Sequence, residues 1–245
     1  MEKIKSFFKD RDTIIAIIMV TFYAIVIKGL PNLFILILKN IFTEEQIIES
    51  NYAILVFLNV AIYLVLASLI IPLSIKYLKQ SYIDCSNNTQ IPAKQISIGI
   101  IAMYCTSILS SIVSSLLTSE TSSNQDSINT LTSTTWGYLS LFLIIGFIGP
   151  VIEELIFRHA IFKILRNNTV SIIISSLLFG LIHVTFQSGK PLDVITISLP
   201  YVSAGIVYGC LYVKSNRNIL IPIACHITNN AISLLIVAFS FGLIR

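Results

Sequence analysis

Two adjacent glutamates and an arginine, Glu153, Glu154 and Arg158, sit in an apolar run that begins at Trp136. A charge at the centre of a membrane helix costs roughly 2.5–3.5 kcal/mol on insertion scales, so three would cost on the order of 8–10 kcal/mol if simply added. On a helix, residues four apart share a face. Glu154 and Arg158 can therefore pair, while Glu153, rotated about 100° from its neighbour, has no cation close in sequence. One carboxylate is read as bridged and the other as free and desolvated. Desolvation and a neighbouring like charge both suit a carboxylate to accept a proton near neutral pH, which is what a general base does. Two further pairs at the same spacing lie in later apolar runs, Phe179 with His183 and His226 with Asn230. Counted along helices from the inner boundary, Glu153, His183 and His226 lie about 15, 20 and 12 Å deep. A lone buried His or Asn is usually an interhelical hydrogen-bonding group. A Glu pair, two His and an Asn at similar depth on three helices are hard to explain as packing and could meet in one pocket. His159 reads as structural or interfacial.

The elements that must position these groups are membrane helices. The 245 residues are 55% hydrophobic and only 11% charged, with mean hydropathy +0.87, whereas a soluble domain carries about a quarter charged residues. The expected fold is all-α, a polytopic bundle of about seven spans, seven to eight. The spans are read as 13–38, 52–77, 95–117, 136–157 continuing to 165, 170–186, 194–213 and 219–243, with a kink in the first at Lys28, Gly29 and Pro31. The chain divides into 1–135, scaffold helices or the wall of an access path, and 136–245, the catalytic bundle. Lys3, Lys5, Lys9, Arg11, Lys76, Lys79, Lys94, Lys163, Arg166, Lys214 and Arg217 fall on one side of this layout. Lys39, Lys190 and Arg245 fall on the other. Eleven against three sets the N-terminus inside. The Ser/Thr-rich loop 118–135 then lies outside, and Gly205 and Gly209 mark close helix packing. The net charge of +4 includes no basic run with interleaved aromatics, so nucleic acid is not a partner. The four cysteines show no metal or redox spacing and read as small hydrophobes. No H-E-x-x-H, G-x-S-x-G or G-x-G-D signature is present.

The ordered set Glu153-Glu154…Arg158, Phe179…His183 and His226…Asn230 resembles the CPBP or Abi group of intramembrane proteases. That group includes the type II CAAX prenyl endopeptidases and bacteriocin-processing and self-immunity proteins. The resemblance covers about 136–243. It implies an endopeptidase in which Glu153 activates water with His183, His226 and Asn230 stabilise the oxyanion, and Glu154 with Arg158 orients the site. Phe179 would line the substrate site. The substrate would be a short membrane-associated peptide or protein tail, and the place of action a cell membrane. The Ile-, Asn- and Lys-rich composition points to a bacterial cytoplasmic membrane and away from prenylated substrates. The alternative is a non-catalytic immunity or adaptor protein binding a peptide or protein partner. A transporter using the Glu pair as a proton relay would be expected to show inverted repeats, and none is visible. Glu153, His183 and His226 also make a plausible zinc set, so both mechanisms stand. The expectation is no bound metal, because no carboxylate lies beside either histidine in sequence and Glu154 is committed to Arg158.

Overall fold

The computed structural model describes residues 10–43, 51–87, 90–120, 128, 135–184 and 190–240. The bulk of the 118–135 loop, and the expected ends of the fifth and seventh spans at 186 and 243, lie outside the described residues. Helices account for nearly all of what is described, and no strand occurs among these residues. Apolar runs of this length leave little choice, since a backbone in hydrocarbon must satisfy its own hydrogen bonds. The helices are α1 (Arg11–Ile41), α2 (Asn51–Ser86), α3 (Gln90–Leu117), α4 (Thr135–Leu165), α5 (Asn168–His183), α6 (Pro191–Lys214) and α7 (Leu220–Ser240).

Six of them are long and apolar enough to cross a membrane, and α5, with 16 residues, is shorter. At helical rise it measures about 24 Å against a core of about 30 Å. Pro31 does not break the first helix, which runs unbroken through it. Asp10 caps α1, accepting hydrogen bonds from the Asp12 amide at 3.2 Å and the Thr13 hydroxyl at 2.8 Å. The Thr13 bond, with Lys163 nearby, holds the Asp10 carboxyl below its ordinary range. Asn167 caps α5 by accepting from the Val170 amide at 3.0 Å.

The loops that carry the excess positive charge meet at one end of the bundle. Arg166, after α4, pairs with Asp10 before α1 at 3.1 Å. Arg217, after α6, donates to Asn168 at the start of α5 at 2.8 Å. Asn218 donates to the carbonyl of Ser81 on α2, and Gln95 on α3 to that of Lys214, at 2.8 and 3.2 Å. Four segments distant in sequence therefore share one face, as they must when two crossing helices separate each from the next. This multi-pass bundle is a membrane protein.

The helix α4 forms its centre: 56% of its most apolar window is buried, against 11–39% in the other five long helices. Around it pack Met19 and Tyr23 of α1, Leu66 and Ile70 of α2, and Tyr208 and Tyr212 of α6. The helices α5 and α6 meet closely at the glycines the sequence marked. A Cβ on Gly205 would stand 2.9 Å from the Cα of Ser176, a backbone atom that cannot move aside.

Candidate active site

The helix α4 is not uniformly α-helical. Ile144–Ile148 and Leu155–Ala160 are π-helical and flank the α-helical turn Gly149–Glu154 that carries both glutamates. Such π segments are frequent at functional sites. Here proline chemistry accounts for part of the first one. The Gly149 amide bonds to the carbonyl of Ile144, and the next residue, Pro150, has no N–H to offer. The carbonyl of Ile145 is thereby left without a backbone donor. The side chain of Asn230 on α7 fills the gap, its Nδ2 donating to Ile145 O at 3.0 Å. Asn229 Nδ2 in turn donates to Asn230 Oδ1 at 3.2 Å. One N–H of Asn230 is therefore spent on positioning α4, and one remains.

The two glutamates differ as the spacing implied, but neither is free. Arg158 Nε stands 3.1 Å from Glu154 Oε2, and both side chains are completely buried. The approach is close enough for an ion pair but poorly aligned for a hydrogen bond, and the guanidinium has no hydrogen-bond partner among the described residues. Its attraction to Glu154 is Coulombic, supplemented by the rings of Phe179, Tyr208 and Phe157 at 5.2, 5.8 and 5.9 Å. Glu154 is also shared: its Oε1 accepts from His226 Nδ1 at 2.9 Å. This corrects the expectation that Arg158 alone holds it. Glu153, 7% exposed, accepts from the Tyr63 hydroxyl at 3.1 Å and stands 3.8 Å from His226 Nε2. Its partners come from α2 and α7, too far along the chain for spacing to reveal.

Both histidine rings are fixed. His183 Nδ1 lies 2.7 Å from the carbonyl of Phe179. A carbonyl only accepts, so Nδ1 carries the proton and Nε2 presents a lone pair. His183 stacks on Tyr201 at 4.5 Å, and His226 on Tyr208 at 4.7 Å. Phe179 meets the His226 ring edge-on at 5.7 Å and so braces the site. His159 is not part of it: it stacks on Tyr77 at 3.9 Å, a packing role as expected.

Glu153, Phe179, His183, His226 and Asn230 line one cavity of about 230 Å³, together with Tyr63, Tyr201 and Tyr208. Glu154 and Arg158 stand behind it and do not line it. Tyr63 is the cavity residue bonded to Glu153 that spacing missed. Its only signal was a second polar residue, Asn59, one helical turn away in an apolar run. Tyr63→Phe is expected to lower turnover about tenfold or more with a modest loss of stability, since a hydrogen bond to a carboxylate contributes about 1.5–3 kcal/mol. Unchanged turnover and pH profile would remove Tyr63 from the site.

The zinc alternative meets mixed geometry. Both histidines have the outer support the sequence seemed to lack, a carboxylate on His226 and a carbonyl on His183. Even so, no three His, Cys, Asp or Glu side chains converge to hold a metal among the described residues.

Comparison with known proteins agrees with the motif set. Residues 135–232 match the family described as Type II CAAX prenyl endopeptidase Rce1-like. An uncharacterized protein of Mycoplasma capricolum is 36% identical over 104 residues, 42% of this chain and 29% of that protein. "Putative membrane peptidase YdiL" of Bacillus subtilis is 30% identical over 93 residues, 37% of this chain and 34% of that protein. The UPF0177 protein YxdF of Lactococcus lactis is 36% identical over 74 residues, 30% of this chain and 37% of that protein. The chain thus spans about a third of the length of these curated relatives. No solved structure matches it. The matched residues 135–232 hold all three motifs and the cavity's Glu153, His183, His226 and Asn230, so the likeness to the Rce1-like family rests on the same residues as the cavity.

Proposed function

We propose that this protein is an intramembrane endopeptidase of glutamic type acting on a short membrane-associated peptide or protein tail. The observation that carries the reading is the convergence of Glu153, His183 and His226 on one buried cavity, each held in a defined orientation from behind. A water held between Glu153 and the Nε2 lone pair of His183 gives up a proton to Glu153 as its oxygen attacks the scissile carbonyl. His226, doubly protonated with its Nδ1–H donated to Glu154, turns its Nε2–H to the side on which the oxyanion develops. The remaining N–H of Asn230 is the second donor there. As the tetrahedral intermediate collapses, the C–N bond breaks and the proton on Glu153 passes to the departing amine. Glu154 and Arg158 act through His226, as positioning residues. Incubating the purified protein with a library of membrane-associated peptides, beside a Glu153 variant, tests the reading. Cleavage absent from the wild type, or equal in both, defeats it.

The mechanism is metal-free. Purified active enzyme is expected to hold far less than stoichiometric zinc and to keep its activity after prolonged treatment with a strong chelator. Stoichiometric zinc, with activity lost on chelation and restored by zinc alone, would reassign Glu153, His183 and His226 as ligands.

A further inference from the structure

The cavity has a direction. The helices α2, α4 and α6 start on the charge-poor face and run toward the charged one, while α5 and α7 run the opposite way, because the charged loops gather at a single end. On every described helix that contributes to the cavity, the lining extends from the level of Glu153, Phe179, Tyr208 and His226 toward the charge-poor face. Asn59 precedes Tyr63 on α2, Ile145 precedes Glu153 on α4, and Tyr201 precedes Tyr208 on α6. On α7, Ser233 and Val237 follow His226, which places them about 10 and 16 Å farther out. Exposure follows the same gradient. Tyr208, Phe179 and His226 form a buried floor, Asn59, Asn229 and Asn230 are half-buried, and Ser233 is exposed. On the charged side of the floor, Leu155, Ile156 and Phe162 are at most 1% exposed and seal that end.

The outer wall has a consistent chemistry too. Its polar groups are the amides of Asn59, Asn229 and Asn230 and the hydroxyls of Tyr201 and Ser233. Glu153 is the only carboxylate lining the cavity among the described residues, and no Lys or Arg lines it. Neutral donors and acceptors in a row suit a peptide backbone, whereas a charged side chain there would be desolvated without a counterion.

We infer that the substrate reaches Glu153 from the extracytoplasmic side, as an uncharged extended stretch of an exported polypeptide. This rests on the endopeptidase reading and goes on to name the face and the substrate class. Sidedness is measured by thiol labelling, which does not require catalysis. In a background with the four native cysteines replaced, Ser233→Cys and Ala204→Cys are exposed to a membrane-impermeant maleimide, in intact cells and in inverted vesicles. Asn168→Cys reports the charged face. The expected result is labelling of Ser233→Cys and Ala204→Cys in intact cells, at least about tenfold faster than in inverted vesicles, and of Asn168→Cys in inverted vesicles alone. Cavity positions that label only in inverted vesicles, or in neither preparation, overturn the inference. So does an Asn168→Cys that labels in intact cells. Adding Glu153→Gln should leave these patterns unchanged, so loss of the protease reading and loss of the sidedness reading give different results. For the substrate class, peptides with a Lys or Asp placed next to the scissile bond should be cut at least about tenfold more slowly than neutral ones. Equal cleavage overturns that part.

Discussion

Glu153→Gln is expected to abolish peptide processing while leaving a folded bundle with wild-type yield and thermal transition. The substitution keeps the shape of the side chain and an oxygen that accepts from the Tyr63 hydroxyl, now 3.1 Å from Oε1. It removes the one carboxylate lining the cavity among the described residues, 3.8 Å from His226 Nε2. The neighbouring ion pair, Glu154 with Arg158, is untouched. A general base contributes roughly 10²–10⁴-fold, so single-turnover cleavage by the variant should fall by at least about a hundredfold. Residual activity above about a tenth of wild type would sink the general-base role. A bundle that unfolds instead would show that Glu153 serves the fold first, and Tyr63→Phe would then separate the two roles.

Arg158→Ala is expected to do the opposite, and to cost the fold before the chemistry. Arg158 is the largest fully buried side chain in the described bundle. It lies behind the cavity, in contact with Glu154 and the rings of Phe179, Tyr208 and Phe157. Removing it leaves the Glu154 carboxylate, itself completely buried, with His226 as its one remaining partner. Breaking a buried pair by deleting one member typically costs about 3–5 kcal/mol, and the void left by the side chain adds to that. Low yield in detergent and a markedly lower thermal transition should accompany lost activity. Yield and stability equal to wild type would show that the ion pair contributes nothing to the bundle. The contrast between adjacent glutamates is therefore one of position: Glu153 faces the cavity, whereas Glu154 faces Arg158.

By itself the sequence determined what depends on short range. Blocks of about twenty apolar residues can only be spans, so the all-helical, multi-pass fold was legible from composition and length. The i, i+4 spacing fixed the Glu154–Arg158 pair and the contact of His183 with Phe179, because both lie within one helical turn. The uneven distribution of Lys and Arg foretold which loops share a face, and Arg166, Arg217 and Asn218 meet their partners there. The tertiary structure decided everything that crosses between helices. It placed the Tyr63 hydroxyl, from a helix read only as scaffold, on Glu153. It gave Glu154 a second partner in His226, across 72 residues. It turned Asn230 toward the carbonyl that Pro150 leaves unsatisfied, and among the described residues it closed the cavity on the charged side. A helix's own sequence states which residues share its faces. Which face meets which neighbour depends on how the seven described helices pack at once, and two π segments in α4 shift that phase locally.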